Sequence, residues 1–130
     1  MYKIKLNTGA KQELINVTER VERIVSSSGT KEGLCCVYVP HTTAGLIINE
    51  SADPSVAEDI LYCLSKLVKE DSAFRHAEGN STAHIKSTLV GPSKQVFVRD
   101  NKLVLGTWQG IFFAEFDGPR NSREIWVDVR

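Results

Sequence analysis

The chain has 130 residues, 42% of them apolar and 25% charged, the composition of one ordinary globular domain over residues 1–130 that can bury its own core. Sixteen basic residues balance sixteen acidic ones. No net field draws such a chain to nucleic acid or to an anionic membrane surface, so neither is expected as a primary partner. The longest apolar runs, Leu46 to Ile48 and Ile111 to Ala114, are far too short to span a bilayer.

The N-terminal residues alternate apolar with polar and lack the apolar stretch of a signal peptide, so a cytoplasmic location is expected. Cys35, Cys36 and Cys63 form no CxxC pair and are expected to be reduced, mostly buried thiols.

In chain order, Tyr2 to Leu6 alternates with period two and predicts a half-buried strand, with Leu14 to Val17 as its partner. Thr18 is placed to cap a helix carrying Val21, Ile24 and Val25, which Gly29 ends. Leu34 to Val39 and Ala44 to Asn49 predict buried strands on either side of a short polar corner. Asp53-Pro54 is the clearest local signal. An N-cap and a proline at the first helical position precede Val56, Ile60, Leu61, Leu64 and Leu67, so a helix is predicted to about Val68.

The polar segment Lys69 to Thr82 is long for a connection and points to function. Ala83 to Leu89 predicts a short helix, and Lys94 to Arg99 with Lys102 to Leu105 a hairpin turning at Asp100-Asn101. Ile111 to Phe116 and Glu124 to Val129 close the chain as strands. This order lacks the regular alternation of a parallel doubly wound sheet. It predicts an α+β fold, a mostly antiparallel β-sandwich core with two or three helices.

The three histidines, His41, His76 and His84, all fall in loops or at element ends. Each alone is ordinarily a surface or structural residue; together they point toward a shared site. There is no HExxH, and no short histidine spacing of the kind a zinc site uses. Asp53 is explained by the helix cap, whereas Glu50 is either a site carboxylate or a solvated strand end. Glu115 alternates within a strand, and if it points inward an apolar environment raises its pKa and suits it to acid or base work. Glu78-Gly79-Asn80-Ser81-Thr82 is either an oxyanion cradle or an ordinary polar loop. Arg120 and Arg123 either pair with carboxylates or bind phosphate. Gly106 and Gly110 bracket Trp108 and Gln109 in a run expected to turn tightly.

Three blocks, PHTTAGLIINESADPSV (Pro40 to Val56), HAEGNSTAHIKSTLVGPS (His76 to Ser93) and LGTWQGIFFAEFDGPR (Leu105 to Arg120), resemble the signature blocks of the YjbQ family, also called the secondary thiamine-phosphate synthase family. They fall along the chain in the family's order. The resemblance implies a YjbQ-like fold, a homotrimer and a polar site near the subunit interface.

The resemblance also implies thiamine-phosphate synthase chemistry as a secondary activity: hydroxymethylpyrimidine diphosphate joined to thiazole phosphate. The small phosphorylated substrate would be handled with Mg²⁺ or Zn²⁺. By the same resemblance, His41, His84, Glu50 and Glu115 are the candidate catalytic residues. Asn49, Lys86, Thr107, Trp108, Gln109 and Arg120 are expected to bind substrate, and His41, His76 and His84 to ligate metal. Asp53, Asp59, Glu78 and Ser87 also match motif positions. The segment between His76 and His84 is shorter than in some members. Two other readings use the same pocket: a metal-dependent hydrolase or lyase, and a non-catalytic metal- or ligand-binding protein.

Overall fold

Alternation builds β1 (Tyr2–Thr8), whose Ile4, Leu6 and Thr8 are buried while the residues between them face out. A computed structural model describes every residue from Met1 to Arg130 and continues with β2 (Glu13–Asn16), α1 (Thr18–Ser28), β3 (Glu32–Tyr38) and β4 (Ala44–Glu50). Then come α2 (Pro54–Leu67), α3 (Ser81–Val90), β5 (Ser93–Arg99), β6 (Lys102–Leu103), β7 (Gln109–Glu115) and β8 (Arg120–Val129). The α+β class is as expected from the element order.

Five strands form one antiparallel sheet in the order β1-β8-β3-β5-β6, and three form a second in the order β2-β7-β4. The main core lies between them. Ile4, Val37, Val96 and Ile125 from the larger sheet meet Leu46, Ile111 and Phe113 from the smaller, with Val21 and Val25 of α1 joining the same cluster. The outer face of the smaller sheet packs on α2 and α3 through Ala83, Ala114 and Phe116. β7 is therefore covered on both faces, and every residue from Gly110 to Glu115 is buried.

The strongest local signals hold in detail. Asp53 accepts a hydrogen bond from the Ser55 backbone N–H at 2.9 Å, and Pro54 opens α2. Gly29 ends α1 at φ 77°, while Asp100 and Asn101 take φ 52° and 60° at the hairpin turn. Thr18 does not cap α1. Its Oγ1 donates to Asn16 Oδ1 at 2.7 Å and accepts from the Ile111 backbone N–H at 2.8 Å, tying the start of the helix to β7.

The cysteines also depart from expectation: Cys35 is buried, Cys36 partly so, and Cys63 is exposed on α2. All three are free thiols, and burial pushes the Cys35 thiol up to about 12. No helix is long and apolar enough to cross a membrane.

Candidate functional site

The corner between β3 and β4 carries His41, Thr42 and Thr43 to one end of the sandwich. The loop before α3 brings Glu78 and Asn80 there, α3 brings His84, and β8 brings Arg120 and Arg123. Together with Pro40 they line a cavity of about 310 Å³ with no hydrophobic residue in its wall. His84 also borders a second cavity of about 430 Å³ with His41, Thr42, Ser87 and Thr88. It borders a third of about 380 Å³ with Phe74, Arg75, His76 and Ile85. His84 is thus the common wall of three adjoining hollows.

The His41 ring accepts the Glu124 backbone N–H at Nε2, 2.9 Å away. A neutral imidazole bonded in this way carries its proton on Nδ1. Burial, and then the positive charge of Arg123, hold its pKa below the usual value against the opposing pull of Glu115 and Glu124. His41 thus offers a donor to a ligand and no free base. His76 and His84 meet edge to face with ring centres 5.2 Å apart, and His76 Nε2 lies 3.6 Å from Glu78 Oε2. His41 and His84 share a cavity wall; His76 stands behind His84 and does not line the hollow that His41 lines.

Glu115 does point inward, but its expected raised pKa is overturned. Burial pushes the carboxyl up; hydrogen bonds from Arg123, the Asp117 backbone and Thr8 outweigh it and bring it below the ordinary value. The Arg123 fork grips both oxygens, Nη2 to Oε1 at 2.6 Å and Nε to Oε2 at 2.9 Å, while Thr8 Oγ1 donates at 2.8 Å. Arg123 Nη2 also reaches Thr43 Oγ1 at 2.9 Å. This buried pair bolts β7 to β8 beneath the cavity, with Arg123 fixed as its partner. Arg120 is half exposed and held by Asp117, Nη2 to Oδ2 at 2.9 Å.

Asp117 was not legible as a site residue. It also receives Lys11 at 2.7 Å and Asn80 at 2.9 Å, and these hydrogen bonds overcome its burial and hold its carboxyl well below the carboxylate range. Asn80 leaves its Oδ1 as the one buried side-chain polar atom without a partner.

The remaining expected residues lie elsewhere. Ala44 pairs with Glu115 at the His41 end of β4, whereas Asn49 pairs with Gly110 and Glu50 with Gln109. Six residues of strand separate the two ends, about 20 Å. At the far end, Glu50 and Asp53 line a cavity of about 370 Å³ under α2. Asn49, Thr107, Trp108 and Gln109 are exposed there, and the Gln109 side chain is occupied by the Gly106 backbone N–H at 2.8 Å. Asp59 is exposed on α2.

Lys86 lies two positions beyond His84 and so leaves α3 on the opposite side. It is only 5% exposed, with Nζ 2.7 Å from Gln12 Oε1 and 3.1 Å from Ser65 Oγ. Burial and the nearby charge of Lys11 lower its pKa. Within one chain, no three His, Cys, Asp or Glu side chains come together as a metal cage.

The fold and groove define a small α+β protein with a polar pocket walled by two arginines and two histidines. The chain belongs to the YjbQ/UPF0047 family: the model described as UPF0047 protein YjbQ-like matches residues 2–130. UPF0047 protein MJ1081 of Methanocaldococcus jannaschii is 51% identical over 99% of this chain and 93% of its own. UPF0047 protein YugU of Bacillus subtilis is 46% identical over 97% and 96%. Among solved structures, a YjbQ/UPF0047 protein of Clostridium acetobutylicum superposes with a TM-score of 0.96 at 45% identity, covering 100% of both chains. Protein TT1486 of Thermus thermophilus does so with a TM-score of 0.91 at 41% identity, again over 100% of both.

Proposed function

We propose that this protein is a small-molecule transferase whose substrate carries both a flat heteroaromatic ring and a phosphate or diphosphate. Its reaction is the joining of hydroxymethylpyrimidine diphosphate to thiazole phosphate, as a secondary activity. The observation that carries this reading is the shared wall at His84. On one side lies a slot bordered by Phe74, His76 and Ile85, suited to a ring; on the other lies a wholly polar pocket with Arg120 and His41. In the step proposed, the C–O bond of the pyrimidine methylene breaks and pyrophosphate leaves with the electron pair. Arg120 and the Nδ1–H of His41 stabilise the departing charge, His84 supplies a proton, and the thiazole nitrogen forms the new C–N bond.

The reading includes a ring of three copies. In such a ring the Glu50–Trp108 end of one chain would meet the His84 groove of the next, giving a shared role to residues that stand about 20 Å apart in a single copy. The test is chromatographic detection of thiamine phosphate from the two substrates, together with calorimetric titration of pyrophosphate. Wild type should form product and bind pyrophosphate. His84→Ala should lower turnover by about 10²-fold or more, the usual contribution of a positioned acid. Arg120→Ala should act chiefly on affinity. Absence of both product and pyrophosphate binding would sink the proposal.

A further inference from the structure

The Arg123 guanidinium is engaged on one edge only. Glu115 holds Nε at 2.9 Å and Nη2 at 2.6 Å, and Nη2 also donates to Thr43 Oγ1 at 2.9 Å, while Nη1 has no partner in the protein. The side chain is only 8% exposed, yet the one fully buried side-chain polar atom without a partner is Asn80 Oδ1. Nη1 therefore touches solvent, and Arg123 lines the wholly polar cavity of about 310 Å³. The free N–H groups of a nine-tenths buried guanidinium are thus open to that hollow.

Thr43 stands beside it. It is 6% exposed and lines the same cavity, and its oxygen accepts from Arg123 while its own hydroxyl hydrogen has no acceptor in the protein. A hydroxyl that accepts from a guanidinium is polarised, which strengthens the bond its hydrogen donates. Glu115 is fully buried and no part of the wall, so the ion pair presents its positive partner to the cavity. Glu78, the one carboxylate in the wall, is three-quarters exposed and lies 3.6 Å from His76. Buried donors left unmatched are costly, and an anion rich in acceptor oxygens satisfies them.

We propose that Arg123 Nη1 and the Thr43 hydroxyl form the floor of an anion site and hold the terminal phosphoryl oxygens of a phosphate monoester or diphosphate. This rests on the reading that the His84 groove takes a phosphorylated substrate. Arg120 is half exposed and engaged by Asp117, so water competes with its hold on the ligand. Arg123 acts from a drier position, where a charge-assisted hydrogen bond is stronger. It does so without leaving Glu115, because the ion pair and the anion use different edges of one guanidinium.

The experiment titrates pyrophosphate and orthophosphate into the whole protein by calorimetry and follows the Arg123 Nε–H resonance by NMR. In wild type that resonance should shift with the calorimetric affinity. Thr43→Val keeps the shape and removes the hydroxyl, so it should weaken both anions by about tenfold or more, and Thr43→Ser should restore most of the loss. Melting curves are recorded for each variant, and if Thr43→Val does not fold the wild-type resonance decides alone. Wild-type affinity in a folded Thr43→Val protein would overturn the assignment, as would an Arg123 resonance that stays still while pyrophosphate binds. A wild type that binds neither anion overturns it too, whatever the product assay returns. Thiamine phosphate is scored separately: its absence beside tight, Thr43-dependent pyrophosphate binding removes the joining reaction and leaves the anion site standing.

Discussion

Burial, and then the positive charge of Arg123, make the His41 side chain sensitive to acid. Its folded pKa lies below the ordinary histidine value of 6.5, so between the two values the unfolded chain binds more protons. The contribution of His41 to stability is therefore complete above 6.5 and is lost as the pH falls through the folded pKa. The melting temperature should drop between pH 7.5 and pH 5.5, and the drop should shrink in His41→Asn. An NMR titration should place the His41 midpoint below the ordinary histidine value. Glu115 and Arg123 differ in kind, because removing one leaves the other charged and buried. Glu115→Gln and Arg123→Met should each cost about 3–5 kcal/mol in urea unfolding. The double replacement Glu115→Leu/Arg123→Met should cost less than the two single changes together, since neither charge is left alone.

At the scale of elements, the placement of His84 depends on α3 docking closely on β4. A Cβ on Gly45 would lie 2.5 Å from Val90 Cγ2 and 2.7 Å from the Gly91 carbonyl oxygen, and that carbonyl accepts the Leu46 N–H at 3.0 Å. Gly45→Ala should push the end of α3 off the strand, lower stability by about 1–3 kcal/mol in thermal unfolding, and weaken pyrophosphate binding. Much at this scale was legible beforehand. Asp53-Pro54 and the apolar spacing after it predict α2, and alternation predicts β1, because both signals are local. The start of β8 at Arg120 was not legible, since Arg120 to Arg123 look polar until β1 and Glu115 supply their partners. The site was half legible for the same reason. Residue type singled out the histidines and the family resemblance added Arg120, and the fold sets His41, His84 and Arg120 around one hollow. Neither signal showed that Lys86 leaves the helix on the far side, or that a guanidinium eight residues along the chain would reverse the expected shift of Glu115.

At the scale of the molecule, the larger sheet has a face that no helix covers. Leu34 and Phe97 stand opposite each other on it, with Phe97 69% exposed, and Tyr38 stacks beside Trp126 with ring centres 5.7 Å apart. A patch of this kind on a small chain agrees with assembly, and light scattering at micromolar concentration should return the mass of three copies. A monomer mass would count against the proposed ring while leaving the single-chain pocket intact.

The two tryptophans are placed so that one emitter should respond to assembly. Trp108 is 62% exposed at the Glu50 end, while Trp126 is held beside Tyr38 with the Lys3 ammonium 5.4 Å from its ring. In a Trp126→Phe protein the remaining indole fluoresces alone. Its colour should move toward the red as the sample is diluted and the copies part, so a fluorimeter can follow the association without any attached dye.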